Sequence, residues 1–173
     1  MSISVYDQTI GTMGPMLKNL DLIVSKAESW VNTNEIDPDA ILKARLAPDM
    51  LTFIHQIRIA TDVAKGAAAR LSGLEPPVWE DNESTFVDVH TRIGKALEYF
   101  AKFEPSQFDG AEKKAIALKL PFGTLDMSGQ QYVLQFVLPN FYFHVTTAYN
   151  ILRHNGLAIG KFDFLNGGKR PGE

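Results

Sequence analysis

Cysteine is missing from all 173 residues. That absence excludes disulfides, thiol nucleophiles and Cys-ligated zinc. Basic charge is in short supply too, with 17 Lys and Arg against 20 Asp and Glu and a formal net charge of −3. A chain without a positive field is not expected to bind nucleic acid. No uninterrupted apolar run reaches spanning length, so no membrane helix is expected. The opening Met1-Ser2-Ile3-Ser4-Val5-Tyr6-Asp7 has neither a basic stretch nor a long apolar one. No signal peptide is read there, and the cytoplasm is the default. G-x-S-x-G, H-E-x-x-H and phosphate-loop patterns are absent as well, which argues against those hydrolases and nucleotide enzymes.

What is present is a globular composition, 45% hydrophobic and 21% charged. A chain of this length can bury a core without covalent staples, and residues 1–173 read as one domain with a frayed tail over 167–173. Ile10, Met13, Leu17, Leu20, Val24, Ala27 and Val31 recur every three or four positions. That spacing predicts an amphipathic helix near 7–32, with Pro15 as a kink or the regular start. Asp37-Pro38 predicts an N-cap and first-turn proline for a short helix reaching about Leu46. A second long helix is predicted over 49–72, opened by Pro48-Asp49 and closed by Ser72-Gly73. Its seam reads Met50, Ile54, Ile57, Thr61, Ala64, Ala68 and Leu71, and the small residues permit a close neighbour.

The Pro76-Pro77 segment cannot be helical. Thr85 with Asp88 then resembles a capping box for a third helix over 85–103. Between Lys114 and Met127 the period falls to two, with a turn at Pro121-Phe122-Gly123-Thr124, and a small β-hairpin is predicted. Ser128-Gly129-Gln130-Gln131 is a second capping box, opening a last helix over 129–155 that Gly156 ends. Four long helices in one small domain predict an all-α, antiparallel four-helix bundle, with the hairpin between the third and fourth.

The last helix carries two polar arcs. Gln131, Gln135, Thr146, Asn150 and Arg153 form one, expected to face water. Asn140, His144 and Thr147 form the other, set among Val133, Val137 and Ile151. Asn140 and His144 are four apart, so both point the same way from the helix. An amide and an imidazole inside an apolar stripe must be hydrogen-bonded or bound to something. Two readings stay open: the pair satisfies itself or the carbonyl that Pro139 frees, or it is a functional site. Elsewhere, His55 lies on a stripe with Arg58 and Asp62, expected to be a solvated face with an i,i+4 ion pair. His90 reads as a boundary residue, and His154 as a cation suited to a helix C-terminus. The aromatics Phe136, Phe141, Tyr142, Phe143 and Tyr149 cover most directions of the last helix, which suggests burial by core and by a second subunit.

The run Leu138-Pro139-Asn140-Phe141-Tyr142-Phe143-His144-Val145-Thr146-Thr147-Ala148-Tyr149-Asn150-Ile151-Leu152-Arg153-His154-Asn155-Gly156, with Gly160-Lys161, resembles the DUF1993 family. Leu46-Ala47-Pro48-Asp49-Met50, Gln56, Asp62 and Lys65 are similar to it too. The resemblance implies a DinB/YfiT-like four-helix bundle. Many proteins of that superfamily hold a divalent metal through one histidine on the second helix and an H-x-x-x-H pair on the fourth, and some activate a thiol with it. Carried over, His144 matches the second histidine of the pair, and His55 is the only histidine on the second helix. Asn140 stands where the first of the pair belongs, and amides are poor ligands for transition metals. Two functions follow as expectations. One is an enzyme with a degenerate metal site, using His144 as base or ligand and Asn140 as its orienting partner on a small molecule or thiol. The other is a non-catalytic homodimeric bundle binding a small apolar ligand or a protein partner.

Overall fold

The structure is a computed structural model that describes residues 3–120 and 123–169. The expected four long helices are all there. Helix α1 spans Val5–Thr33, is capped by Ser4 and runs on through Pro15. Helix α2, Pro38–Leu42, starts on the Asp37 cap as expected but stops short of Leu46. Helix α3 is Phe53–Ser72, four residues later than its expected start, because Thr52 and not Asp49 is the N-cap. The Pro48-Asp49 segment instead closes a turn in which the Met50 amide bonds to the Ala47 carbonyl at 3.0 Å. Gly73, at φ 91°, ends α3 as foreseen.

Helix α4 is Phe86–Phe100, with the Thr85–Asp88 capping box formed in both directions. Two short 3-10 turns lead to the antiparallel strands β1, Ala115–Leu120, and β2, Gly123–Ser128. Ile116 pairs Met127 and Leu118 pairs Leu125, so the alternation read from sequence sets the buried face of β1. Of the expected turn, Pro121 and Phe122 lie outside the described residues.

The last long helix comes in three consecutive parts: α5, Gly129–Gln131; π-helical turns over Tyr132–Val137; and α6, Leu138–His154. Proline 139 has no N–H to give the Gln135 carbonyl. The wider turns immediately before it take up the mismatch, and the helix does not break there. Gly129 is obligatory: a Cβ there would collide with the Ala111 carbonyl. A further helix, α7 (Lys161–Asn166), has no counterpart in the sequence reading. It docks on α1 through Asn19 Nδ2 to the Phe164 carbonyl at 3.0 Å and the Lys26–Asp163 ion pair.

The core runs between α1, α3, α4 and α6, with the most extensive packing between α3 and α6. Ala60, Ala64, Ala67 and Ala68 of α3 are fully buried, which lets the two backbones approach. The non-helical stretch between α3 and α4 is held by Arg92, which is only 3% exposed. Arg92 reaches Asp62 at 2.9 Å, Glu83 at 2.8 Å and the Glu80 carbonyl at 2.9 Å. Nearby, Lys65 and Lys95 place their ammonium groups 4.5 and 4.9 Å from the Trp79 ring centre. Among the described residues, no helix is long and apolar enough to cross a membrane.

Candidate functional site

His144 sits on the flank of α6 that meets α3, and only 8% of it is exposed. Its Nδ1 lies 2.7 Å from Gln56 Oε1 on α3. Gln56 itself is 1% exposed. Its Nε2 donates to the Leu51 carbonyl at 3.0 Å, which fixes which end of the amide faces the imidazole. The end that faces it is the oxygen, which only accepts. Nδ1 must then carry the hydrogen, and Nε2 is left with its lone pair. Burial lowers the His144 pKa from its ordinary value, because the charged imidazolium loses more hydration than the neutral ring. At neutral pH the ring is therefore an uncharged acceptor at Nε2.

Asn140, one turn earlier on α6, is half-buried. Its neighbour relation to His144 follows from the helix, but the ring's hydrogen-bond partner is Gln56. Thr147 is buried and spends its hydroxyl on the Phe143 carbonyl at 2.7 Å. The Phe143 ring stands edge-on to the imidazole, 5.2 Å between centres, yet is 55% exposed. Arg153 is exposed, as its arc required, while Asn150 of the same arc is half-buried; His154 is exposed at the helix end. The Nδ1 side of the ring is thus closed by Gln56 of α3, and the exposed Phe143 ring lies edge-on beside it.

The sequence names Gln56 only through the family resemblance and gives it no place beside His144. The seam traced on the second helix followed Ile54, Ile57 and Thr61, the last of which meets Arg92 of α4. Phe53, Gln56, Ala60 and Ala67 are buried too, at the three-, four- and seven-residue spacing of one helix face, and from it Gln56 reaches His144 of α6. A glutamine spaced in register with Phe53 and two alanines was the available signal.

His55 lies one position away and belongs to different surroundings. It is half-buried, with Nδ1 2.6 Å from Thr52 Oγ1, and lines a cavity of about 320 Å³ with Leu42, Ile54, Arg58 and Glu83. The expected Arg58–Asp62 pair does not form. Arg58 pairs with Glu83 at 2.5 Å, and Asp62 with Lys65 at 2.6 Å and Arg92 at 2.9 Å. The reason is tertiary: the loop before α4 brings Glu83 onto this face, which helix spacing alone does not reveal. His90 bridges α4 to α1, with Nδ1 2.6 Å from Asp21.

A divalent metal needs several good donors converging on one point. Among the described residues, no three His, Cys, Asp or Glu side chains come together in that way. Around His144 the donors are one imidazole nitrogen and two carboxamides, and the Gln56 oxygen is already taken. This set does not fit a tight divalent ion.

The comparisons with known proteins agree with that fold. A family model described as "Domain of unknown function (DUF1993)" matches residues 5–165. Among solved structures, the chain is similar to the crystal structure of a DinB family member protein from Shewanella denitrificans. The two share 38% identity at a TM-score of 0.88, over 97% of this chain and 94% of that one. No curated protein matches the chain. A helical core closed by a two-stranded hairpin, matched to the family along nearly its whole length, makes this chain a member of the DUF1993 family with a DinB-like fold.

Proposed function

We propose that this chain is a one-domain, antiparallel four-helix bundle that binds a small neutral molecule carrying an O–H, N–H or S–H group, with Nε2 of His144 as the receiving atom. The observation that carries this is the 2.7 Å bond from His144 to a Gln56 amide whose own orientation is fixed by Leu51. It pre-sets the tautomer, so a ligand pays no cost to select it. Asn140 supplies an amide on the same helix face, suited to a ligand carbonyl or hydroxyl. Phe143 supplies an apolar contact beside the ring.

A lowered pKa makes this imidazole a weak base. Taking a full proton would create an imidazolium where burial disfavours it. Hydrogen-bond acceptance is favoured over proton abstraction, so an O–H, N–H or S–H group is bound there rather than deprotonated. The test is to titrate ring-labelled protein with 2-mercaptoethanol and follow the His144 nitrogens. The Nε2 signal should move while Nδ1 holds, and Asn140→Ala should weaken the response. A parent whose Nε2 signal is unmoved by thiols and by small alcohols alike would overturn the reading.

A second reading, a non-catalytic homodimer, is favoured by one observation. Phe143 is a large aromatic left 55% exposed in the middle of α6. A partner copy covering that ring would explain it, and the sedimentation behaviour of the parent against Phe143→Ser separates the two.

A further inference from the structure

The end of α3 faces the first strand of the hairpin across a cavity of about 370 Å³ that has no part in the His144 site. Its lining includes Arg70, Lys114 and Lys119, with Glu75 as the one acidic side chain and Leu74 and Ile116 as apolar walls. Two of these cations are held in place by the fold. Arg70 donates through Nη1 to the Tyr132 hydroxyl at 3.1 Å, and Tyr132 is 1% exposed. Lys114 directs its ammonium at the Leu71 carbonyl, 3.4 Å away. The remaining guanidinium nitrogens of Arg70 have no protein partner among the described residues and are not sealed from solvent. None of the three cations makes an ion pair with a carboxylate among the described residues.

The C-terminal end of α3 accounts for part of this charge. Cations in the last turn of a helix offset its C-terminal dipole, and Lys114 is doing so at Leu71. That effect amounts to roughly half a charge. It does not account for three cations, one of them on a strand. With Glu75 the only acid, the cavity keeps a surplus close to two positive charges even in a chain that is acidic overall.

We propose that this cavity binds a small dianion, a phosphate monoester or a dicarboxylate. Arg70 grips it with its unused N–H groups, and Lys114 and Lys119 neutralise it from the hairpin side. A guanidinium held rigidly by a buried phenol presents a planar fork suited to either oxyanion. The π-helical turns have a role here, because they carry Tyr132.

The test is thermal unfolding of the full chain in methyl phosphate, in succinate, and in chloride at matched ionic strength. A dianion that binds the folded state raises Tm above the chloride control, and which of the two does so identifies the ligand chemistry. Lys119→Gln, at an exposed strand position that leaves the core untouched, should weaken the apparent affinity roughly tenfold, the loss of one charge-assisted hydrogen bond. Arg70→Gln should do at least as much, and Glu75→Gln should strengthen binding. The proposal is overturned if neither dianion exceeds chloride. It is equally overturned if Arg70→Gln and Lys119→Gln leave the dianion response unchanged, since the cations then serve only the helix end.

Discussion

Replacing Gln56 by Leu removes the acceptor from a ring nitrogen that has no other described partner, in a site where His144 is 8% exposed. Leaving such a buried N–H unsatisfied costs about 1–3 kcal/mol. The Leu51 carbonyl also loses its donor, but Leu51 is exposed and water takes over. His144→Phe makes the mirror-image fault by stranding the Gln56 oxygen, at a similar cost. Removing both partners for apolar groups of like shape is far less costly than the two losses added together. A double-mutant cycle should therefore show a coupling of about 1–3 kcal/mol, well above the roughly 0.3–0.5 kcal/mol within which independent sites add. Urea unfolding followed by far-UV circular dichroism measures all four corners. If the two single losses simply add, the hydrogen bond contributes nothing specific and the argument for a pre-set tautomer fails.

Arg92→Met should destabilise the fold by about 1–3 kcal/mol in the same assay: Asp62 and Glu83 keep Lys65 and Arg58 as partners, but the Glu80 carbonyl and the Thr61 hydroxyl lose the donor that ties the loop to α3. Asn140→His restores an H-x-x-x-H pair on α6 and should bind zinc more tightly than the parent by calorimetry. Adding His55→Ala should leave that gain intact, because the His55 ring is engaged with Thr52, whereas adding Gln56→His should increase it. Acid should destabilise the parent more than His144→Phe. The folded-state pKa of His144 lies below its unfolded value, so the unfolded chain takes up the proton first. This group's contribution is present above about pH 6.5 and is lost as the pH falls from there toward the folded-state pKa. Paired urea titrations across that range measure it.

Much of this fold can be read from residues that act locally. Thr85 with Asp88 and Ser128 with Gln131 form the boxes their spacing announces, and Gly73 ends α3 with the backbone angle its identity allows. The alternation through Ile116 and Leu118 sets the hairpin face for the same reason. Helix α7 escaped because its six residues are too few to show a period, although Gly160 followed by Asp163 is a weak start signal. The site was half legible. His144 on an apolar flank of a helix is visible from a wheel, and so is the outward turn of Arg153. Its partner is not, because the Gln56 contact spans 88 positions and depends on how α3 rotates against α6. The charged clamp on Arg92 was hidden for the same reason: its acids come from another helix and from a loop.

The most direct test of the central claim is the protonation pattern of one imidazole. Long-range ¹H–¹⁵N correlation spectra of ring-labelled protein near neutral pH should show His144 neutral, with the hydrogen on Nδ1 and the lone pair on Nε2. His144→Phe assigns the signal unambiguously. A His144 ring carrying its hydrogen on Nε2, or doubly protonated at neutral pH, would contradict the account.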